Sequence, residues 1–274
     1  MEKRKKGAVE EQVVSVVSTS IVSKQLAREV EIDFYFLRTT SSHDPTSLLL
    51  INDGQDLQKM NFPAIISDVH SKYKLHPFIA VGIHAGTDRK NEYGTALKKD
   101  YKNRGAKAAE YTKFVFEELL PFVRSRTGFS RFKEKIFAGF SLGGLMALDI
   151  VWNHPQEFSK VGIFSGSFWW RSVGLDNNYV EDRDRIMHSL VREGKFAPWL
   201  KFYFQTGALD EMADRNSNGV IDSIDDTLGL ITELKKKGYP DDAIRYVELA
   251  DGRHDVETWG SAMPDFLHWA LGDQ

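Results

Sequence analysis

Apolar residues alternate with Ser, Thr and acidic residues in "QVVSVVSTSIV" and again in "EVEIDFYFLR", between residues 12 and 38. This period of two predicts an antiparallel strand pair. The next runs differ: "SLLLIND" and "PFIAVGIHA" are almost wholly apolar, as strands buried on both faces are. Across residues 107–124 the period lengthens, and Tyr111, Phe114, Val115, Leu119 and Phe122 fall on one helical face. Beyond it come strand "EKIFAGF", helix "LGGLMALDIVWN" stopped by His154-Pro155, and strands "SKVGIFSGS" and "LKFYFQTG". Helix "LGLITELKKKG" ends at Gly238 and Pro240, strand "DAIRYVELA" follows, and the last helix, "ETWGSAMPDFLHWAL", reads as interrupted near Pro264.

An antiparallel start followed by alternating strands and helices predicts an α/β fold, a mostly parallel twisted sheet with helices on both faces. No internal repeat or linker divides the chain, so residues 12–274 are expected to form one domain behind a flexible tail at residues 1–11. Residues 167–198, rich in Trp, Arg and Asp, look like an insertion able to cap a site.

Composition narrows the function. The 274 residues are 42% hydrophobic and 27% charged, which suits one large enzyme domain. A net charge of −3 argues against nucleic-acid binding, which needs a basic face. The absence of cysteine excludes a disulfide scaffold, thiolate metal sites and a cysteine nucleophile. No run is long enough for a membrane-spanning helix, and "VVSVVSTSIVSK" is too interrupted for a signal peptide. A cytoplasmic protein is the expectation, with an exported protein trimmed of its leader as the alternative; the oligomeric state is not readable.

Between a predicted strand and a predicted helix sits Gly139-Phe140-Ser141-Leu142-Gly143, a G-x-S-x-G. A serine on a tight strand-to-helix turn projects its hydroxyl, and flanking residues without Cβ let strand and helix approach. The helix N-terminus favours an oxyanion, with the Leu142 N–H as one donor. Such a serine takes its partners in the order Ser, acid, His. Downstream lie His268, on an amphipathic helix, and His254, in a loop after the last strand where Gly252 permits a sharp turn. His254 is the expected base. Asp210 closes the preceding strand and is the expected acid, with Glu211 its alternative; Asp255 reads as a cap for the last helix. A second oxyanion donor is expected at the Gln55 N–H, in the loop "NDGQDL" after an early strand.

In order, "NDGQDL", "VGIHAGTDRKNEYG", "GFSLGGLMAL", "SGSFWW" and "DGRHDVETW" resemble the Putative esterase family of α/β-hydrolases. That group contains esterase D, enterochelin-esterase-like and feruloyl-esterase-like enzymes. The resemblance spans about residues 12–271 and implies the α/β-hydrolase fold and a serine esterase. Ser141, Asp210 and His254 fall on its catalytic positions, and Gln55 and Leu142 on its oxyanion positions. It further implies substrate contacts from Arg89, Glu92 and Tyr93, and an aromatic wall from Trp169 and Trp170. Hydrolases of S-formylglutathione carry an early Cys and a different turn where this chain has "NDGQDL", which disfavours that substrate. Some siderophore esterases of the group lack a well-placed acid and rely on a Ser–His pair.

Residues 214–225 follow the spacing of a calcium loop. Asp214, Asn216, Asn218, the Val220 carbonyl, Asp222 and Asp225 take ligand positions, and Gly219 takes the sharp turn. This predicts a structural calcium ion, with no cofactor needed for catalysis. The competing reading is an Asn/Asp/Gly turn whose side chains bond their own backbone.

The function expected is therefore a serine carboxylic-ester hydrolase on a small-molecule ester, working through an acyl-enzyme, with neither nucleic acid nor membrane as partner. Two alternatives stand beside it: an acyltransferase on the same fold, and a catalytically silent binding module using a dockerin-like calcium loop.

Overall fold

The computed structural model describes residues 13–37 and 45–272; the predicted tail lies outside them. Strands β1 (Val14–Ser23) and β2 (Arg28–Leu37) pair antiparallel along their whole length, as their alternation predicts. Six more follow: β3 (Ser47–Asn52), β4 (Phe78–Ile83), β5 (Lys135–Phe140), β6 (Lys160–Phe164), β7 (Lys201–Leu209) and β8 (Ile244–Arg253). They form an eight-stranded sheet in the order β1-β2-β4-β3-β5-β6-β7-β8. β2 meets β4 antiparallel, and every pairing from β4 to β8 is parallel. The chain steps from β3 outward to β4 and then back past β3 to β5. In an open α/β sheet the crevice at such a switch point, beyond the carboxyl ends of the strands, is where ligands bind.

Helices α1 (Gln55–Lys59), α2 (Phe62–Tyr73) and α3 (Arg89–Glu92) flank β4. Next come α4 (Ala108–Lys113) and α5 (Leu120–Thr127), joined by a π-wound turn at Phe114–Leu119. The predicted aromatic face survives this change of winding, with Tyr111, Phe114, Val115 and Leu119 fully buried. α6 (Leu142–Asn153), α7 (Glu181–Asp184), α8 (Ile186–Glu193), α9 (Asp222–Lys237) and α10 (Val256–Leu271) complete the set. One core joins α4, α5, α6, α8 and α9 to one sheet face, and a second joins α2 and α10 to the other.

Three local readings change. α2 was not predicted, although Phe62, Ile66 and Val69 give it a buried face. α9 starts at Asp222, inside the predicted calcium loop. α10 runs unbroken through Pro264. A proline inside a helix costs about 3 kcal/mol. Burying Trp259, Met263, Phe266 and Leu267 returns about 1.5–3 kcal/mol each, so packing wins. Among the described residues no helix is long and apolar enough to cross a membrane.

Candidate active site

β5 delivers Ser141 at φ 54° and ψ −121°, a strained conformation for a residue with a side chain. The strain is held from several sides. The Ser141 N–H donates to the Phe164 carbonyl at 2.8 Å, and the Ser141 carbonyl accepts from Gly144, Leu145 and Ser167 N–H groups at 3.1–3.2 Å. The glycines are required by contact. A Cβ on Gly139 would lie within 2.4 Å of the Gly143 carbonyl oxygen, and one on Gly143 within 2.4 Å of an Asp53 carboxylate oxygen.

His254 leaves β8 on the turn before α10 and brings Nε2 to 2.9 Å from Ser141 Oγ. Its ring stands edge-on to Trp259 at 5.4 Å, and Trp259 stacks on Phe140, the neighbour of Ser141, at 5.0 Å. Asp255 caps α10 by accepting the Thr258 N–H at 2.9 Å, as its position predicts.

Asp210 lies on the loop after β7. Its carboxylate accepts the Gly207 N–H at 3.2 Å and the Ser165 hydroxyl at 3.1 Å. Among the described residues no hydrogen bond joins it to His254. The two groups interact through charge: burial lowers the His254 pKa below its ordinary value, and the Asp210 carboxylate opposes that fall. Burial likewise raises the Asp210 pKa, against the Gly207 and Ser165 hydrogen bonds. Both groups border a cavity of about 200 Å³ with Ser165, Gly166, Trp169, Glu211 and Ser223. Glu211 is pushed up by burial while accepting a hydrogen bond from the Ser223 backbone at the start of α9. Of the neighbouring acids, Asp210 carries the charge interaction with His254, and Glu211 is bonded to the first turn of α9.

Leu142 and Gln55 are the first residues of α6 and α1, so neither N–H has an acceptor within its helix. The Gln55 side chain braces its turn by accepting the Ala85 N–H at 3.0 Å.

Sequence reasoning missed the two residues that lock this turn to the serine elbow. Asn52 donates from Nδ2 to the Gly143 carbonyl at 2.8 Å and accepts the Tyr111 hydroxyl at 2.6 Å. Asp53, buried and at φ 61°, receives Arg89 through Nε at 2.6 Å and Nη2 at 2.7 Å. Arg89 Nη2 also donates to the Phe140 carbonyl at 3.3 Å. The signal was present as two polar residues ending an otherwise apolar strand, which a glycine turn alone does not need.

Several expected substrate contacts are corrected. Glu92 is buried and paired with Arg28 through two bonds of 2.7 Å. Tyr93 is buried edge-on to Tyr111, and its hydroxyl accepts the Asp53 N–H at 3.4 Å. Trp170 is buried against Gly94 and Gly105. All three side chains are closed off from the surface. Arg89 is engaged with Asp53, and Trp169 is the partly exposed member of the aromatic pair, with the Arg104 guanidinium 4.8 Å from its ring.

The 214–225 loop bonds to itself. Asp214 accepts the Asn218 and Gly219 N–H groups at 3.1 and 2.9 Å, and Asp225 accepts the Asn216 and Asn218 amides at 3.0 and 3.3 Å. Asn218 Oδ1 accepts the Val220 N–H at 2.8 Å. Asp222 is drawn to Arg215, accepting its N–H at 2.9 Å and facing its guanidinium at 3.3 Å. Arg215 also meets buried Asp226, which pairs with Arg185 of the 167–198 segment at 3.0 Å. Among the described residues no group of three or more His, Cys, Asp or Glu side chains gathers as metal ligands. As they stand, the residues fit a self-capped turn backed by an ion-pair cluster.

The Putative esterase family model matches residues 23–270. Uncharacterized protein YbbA of Bacillus subtilis is 20% identical over 81% of this chain and 84% of its own length. The siderophore hydrolase EstB of Aspergillus nidulans superposes with a TM-score of 0.70 at 17% identity, covering 94% of this chain and 95% of that one. The enterochelin esterase of Shigella flexneri gives 0.70 at 22% identity over 93% of this chain, which spans only 57% of that larger protein.

Proposed function

The chain belongs to the Putative esterase family and is an ester hydrolase, and we propose that it works by acyl transfer through Ser141, His254 and Asp210. The observation that carries this reading is the 2.9 Å contact between His254 Nε2 and the hydroxyl of a serine in a strained elbow at a helix N-terminus. Ser141 Oγ attacks the ester carbonyl while its proton passes to His254 Nε2. The carbonyl oxygen gains negative charge and is met by the free N–H groups of Leu142 and Gln55. The imidazolium then protonates the departing alkoxide, leaving an acyl-Ser141 ester. Water, deprotonated by His254, attacks that ester and releases the acid.

Asp210 contributes as a fixed negative charge beside the imidazolium. The substrate is a small-molecule ester reaching the cavity beside Trp169, and the names of two structural relatives, a siderophore hydrolase and an enterochelin esterase, make siderophore esters the first to try.

The test is labelling by a fluorophosphonate probe together with turnover of p-nitrophenyl acetate. Wild-type protein should react with the probe and hydrolyse the ester, and Ser141→Ala should do neither. Unchanged turnover in Ser141→Ala would end the proposal.

A further inference from the structure

The turn after β6 reads Ser165-Gly166-Ser167, and neither serine is accounted for by the reaction above. Both are buried, and each touches a different member of the site. The Ser165 hydroxyl donates to Asp210 Oδ1 at 3.1 Å while accepting the Trp259 indole N–H at 3.0 Å. Ser167 Oγ lies 3.3 Å from Ser141 Oγ, and its N–H donates to the Ser141 carbonyl at 3.2 Å. The backbone makes this double reach from three residues feasible. Ser165 takes φ 47°, and a Cβ on Gly166 would come within 2.7 Å of both Ile163 and Phe168.

We propose that Ser165-Gly166-Ser167 is a bracket in which Ser165 positions the acid and Ser167 acts on the nucleophile as a further catalytic residue. The inference rests on Ser141 being the nucleophile.

Proton counting assigns the direction of the second bond. The single Ser141 hydroxyl proton points to His254 Nε2, so the bond between the two serines has Ser167 as its donor and Ser141 Oγ as acceptor. At 3.3 Å it is long in the resting enzyme, and it tightens when Oγ carries charge. That happens when Oγ leaves the acyl group. As the tetrahedral adduct of water collapses, the bond from the acyl carbon to Oγ breaks, its electron pair returns to Oγ, and His254 delivers the proton. Ser167 supports Oγ as the leaving atom in this step. In acylation Oγ starts as a hydroxyl that already accepts this bond, so little more is gained as it attacks, whereas in deacylation Oγ starts as an ester oxygen, a weaker acceptor, and gains more on leaving. Ser167 therefore favours deacylation over acylation.

Ser165 acts only through Asp210. Its hydroxyl holds one carboxylate oxygen while the Gly207 N–H holds the other. It stabilises the charged form, and Trp259 orients the hydroxyl that does so.

The experiment is stopped-flow hydrolysis of p-nitrophenyl acetate by Ser167→Ala and Ser165→Gly, with Tm measured on each. Glycine suits the φ of position 165, so that variant removes the hydroxyl without straining the turn. Ser167→Ala should show a larger p-nitrophenol burst and a steady rate about tenfold lower, with the burst rate constant falling by much less. Ser165→Gly should lower kcat without enlarging the burst and move the acidic limb of the rate–pH profile to higher pH. Ser165→Ala should share that displaced limb, and Trp259→Phe, which keeps the ring and loses the N–H, should show part of it.

Fluorophosphonate labelling of Ser141 runs beside each variant. If Ser141→Ala keeps its activity, the acyl-enzyme reading falls and the bracket with it. If labelling is intact but Ser167→Ala keeps the wild-type ratio of burst to steady rate, or the limb of Ser165→Gly stays in place, the bracket alone is overturned.

Discussion

Asp53 and Arg89 meet through a two-pronged ion pair of 2.6 and 2.7 Å directly against Gly143, the last glycine of the serine elbow. The pair bonds the β3 turn to the start of α3, and Arg89 carries the link on to the Phe140 carbonyl beside the nucleophile. Arg89→Met leaves the Asp53 carboxylate buried and unpaired, a loss of about 3–5 kcal/mol in unfolding free energy. Adding Asp53→Asn should recover most of it. Arg89→Lys keeps the charge and loses the fork, so it should still lower kcat by about tenfold. Denaturant melts and p-nitrophenyl acetate kinetics on the four proteins check this.

Ser141 and His254 act as one unit. Ser141→Ala and His254→Ala should each lower kcat by about 10⁴-fold or more, and the double variant should be no worse than either. Asp210→Asn should cost less, about 10²-fold, because Asp210 touches His254 through charge and not through a hydrogen bond. Equal losses for all three, measured in the same assay, would contradict this ranking.

Activity should persist into mildly acidic solution. The reaction needs neutral His254, whose pKa burial holds below the ordinary 6.5. Lowering pH abolishes kcat/KM as the imidazole takes a proton, so the acidic midpoint should fall below pH 6.5. A rate–pH profile gives this midpoint directly.

Stability should decline as pH rises from about 4 to 7, through a residue remote from the chemistry. Asp149 is buried in α6, accepts the Ala96 N–H at 2.9 Å and the Asn153 amide at 3.1 Å, and is pushed up by burial to about 7. A carboxyl raised above its unfolded value contributes fully below that value, and its contribution is lost as pH climbs through the folded one. Between about pH 4 and 7 the loss amounts to about 1.4 kcal/mol per pH unit at most. Asp149→Asn should flatten the dependence of Tm on pH over that interval.

Chelation should leave turnover unchanged. None of the 214–225 side chains bonds Ser141 or His254, and Arg215 already satisfies Asp222. EDTA-treated protein should keep its kcat. A rise in Tm on adding calcium that Asp225→Ala removes would mark a structural ion in the loop, and no response would leave it a self-bonded turn.

The succession of strands and helices, the antiparallel start and the elbow were legible because each rests on local pattern: apolar runs, a period of two, and a serine between glycines. Chain order nominated Asp210 and His254, which border one cavity in the structure. What escaped was the fit between segments far apart in sequence. Asn52 with Gly143, Asp53 with Arg89, and Ser165 with Asp210 each join separate loops, and nothing in either stretch announces the other. Burial escaped for the same reason. Glu92 and Tyr93 stand in a polar run that looks like a surface loop, yet Arg28 from β2 and Tyr111 from α4 enclose them. The Pro264 break failed because packing against the sheet outweighs a local backbone preference.

The close approach of Gly139 and Gly143 has a bearing on how this scaffold can diversify. At 2.4 Å clearance the elbow is a hinge pin with no play, so side chains added there displace the nucleophile itself. Variation that preserves the reaction is channelled to the edges of the cavity, into the exposed side of Trp169, the part of the 167–198 segment beyond Trp170, and the loop beyond Asp210. An engineer wanting a new ester should graft or randomise those three surfaces and leave the pin untouched.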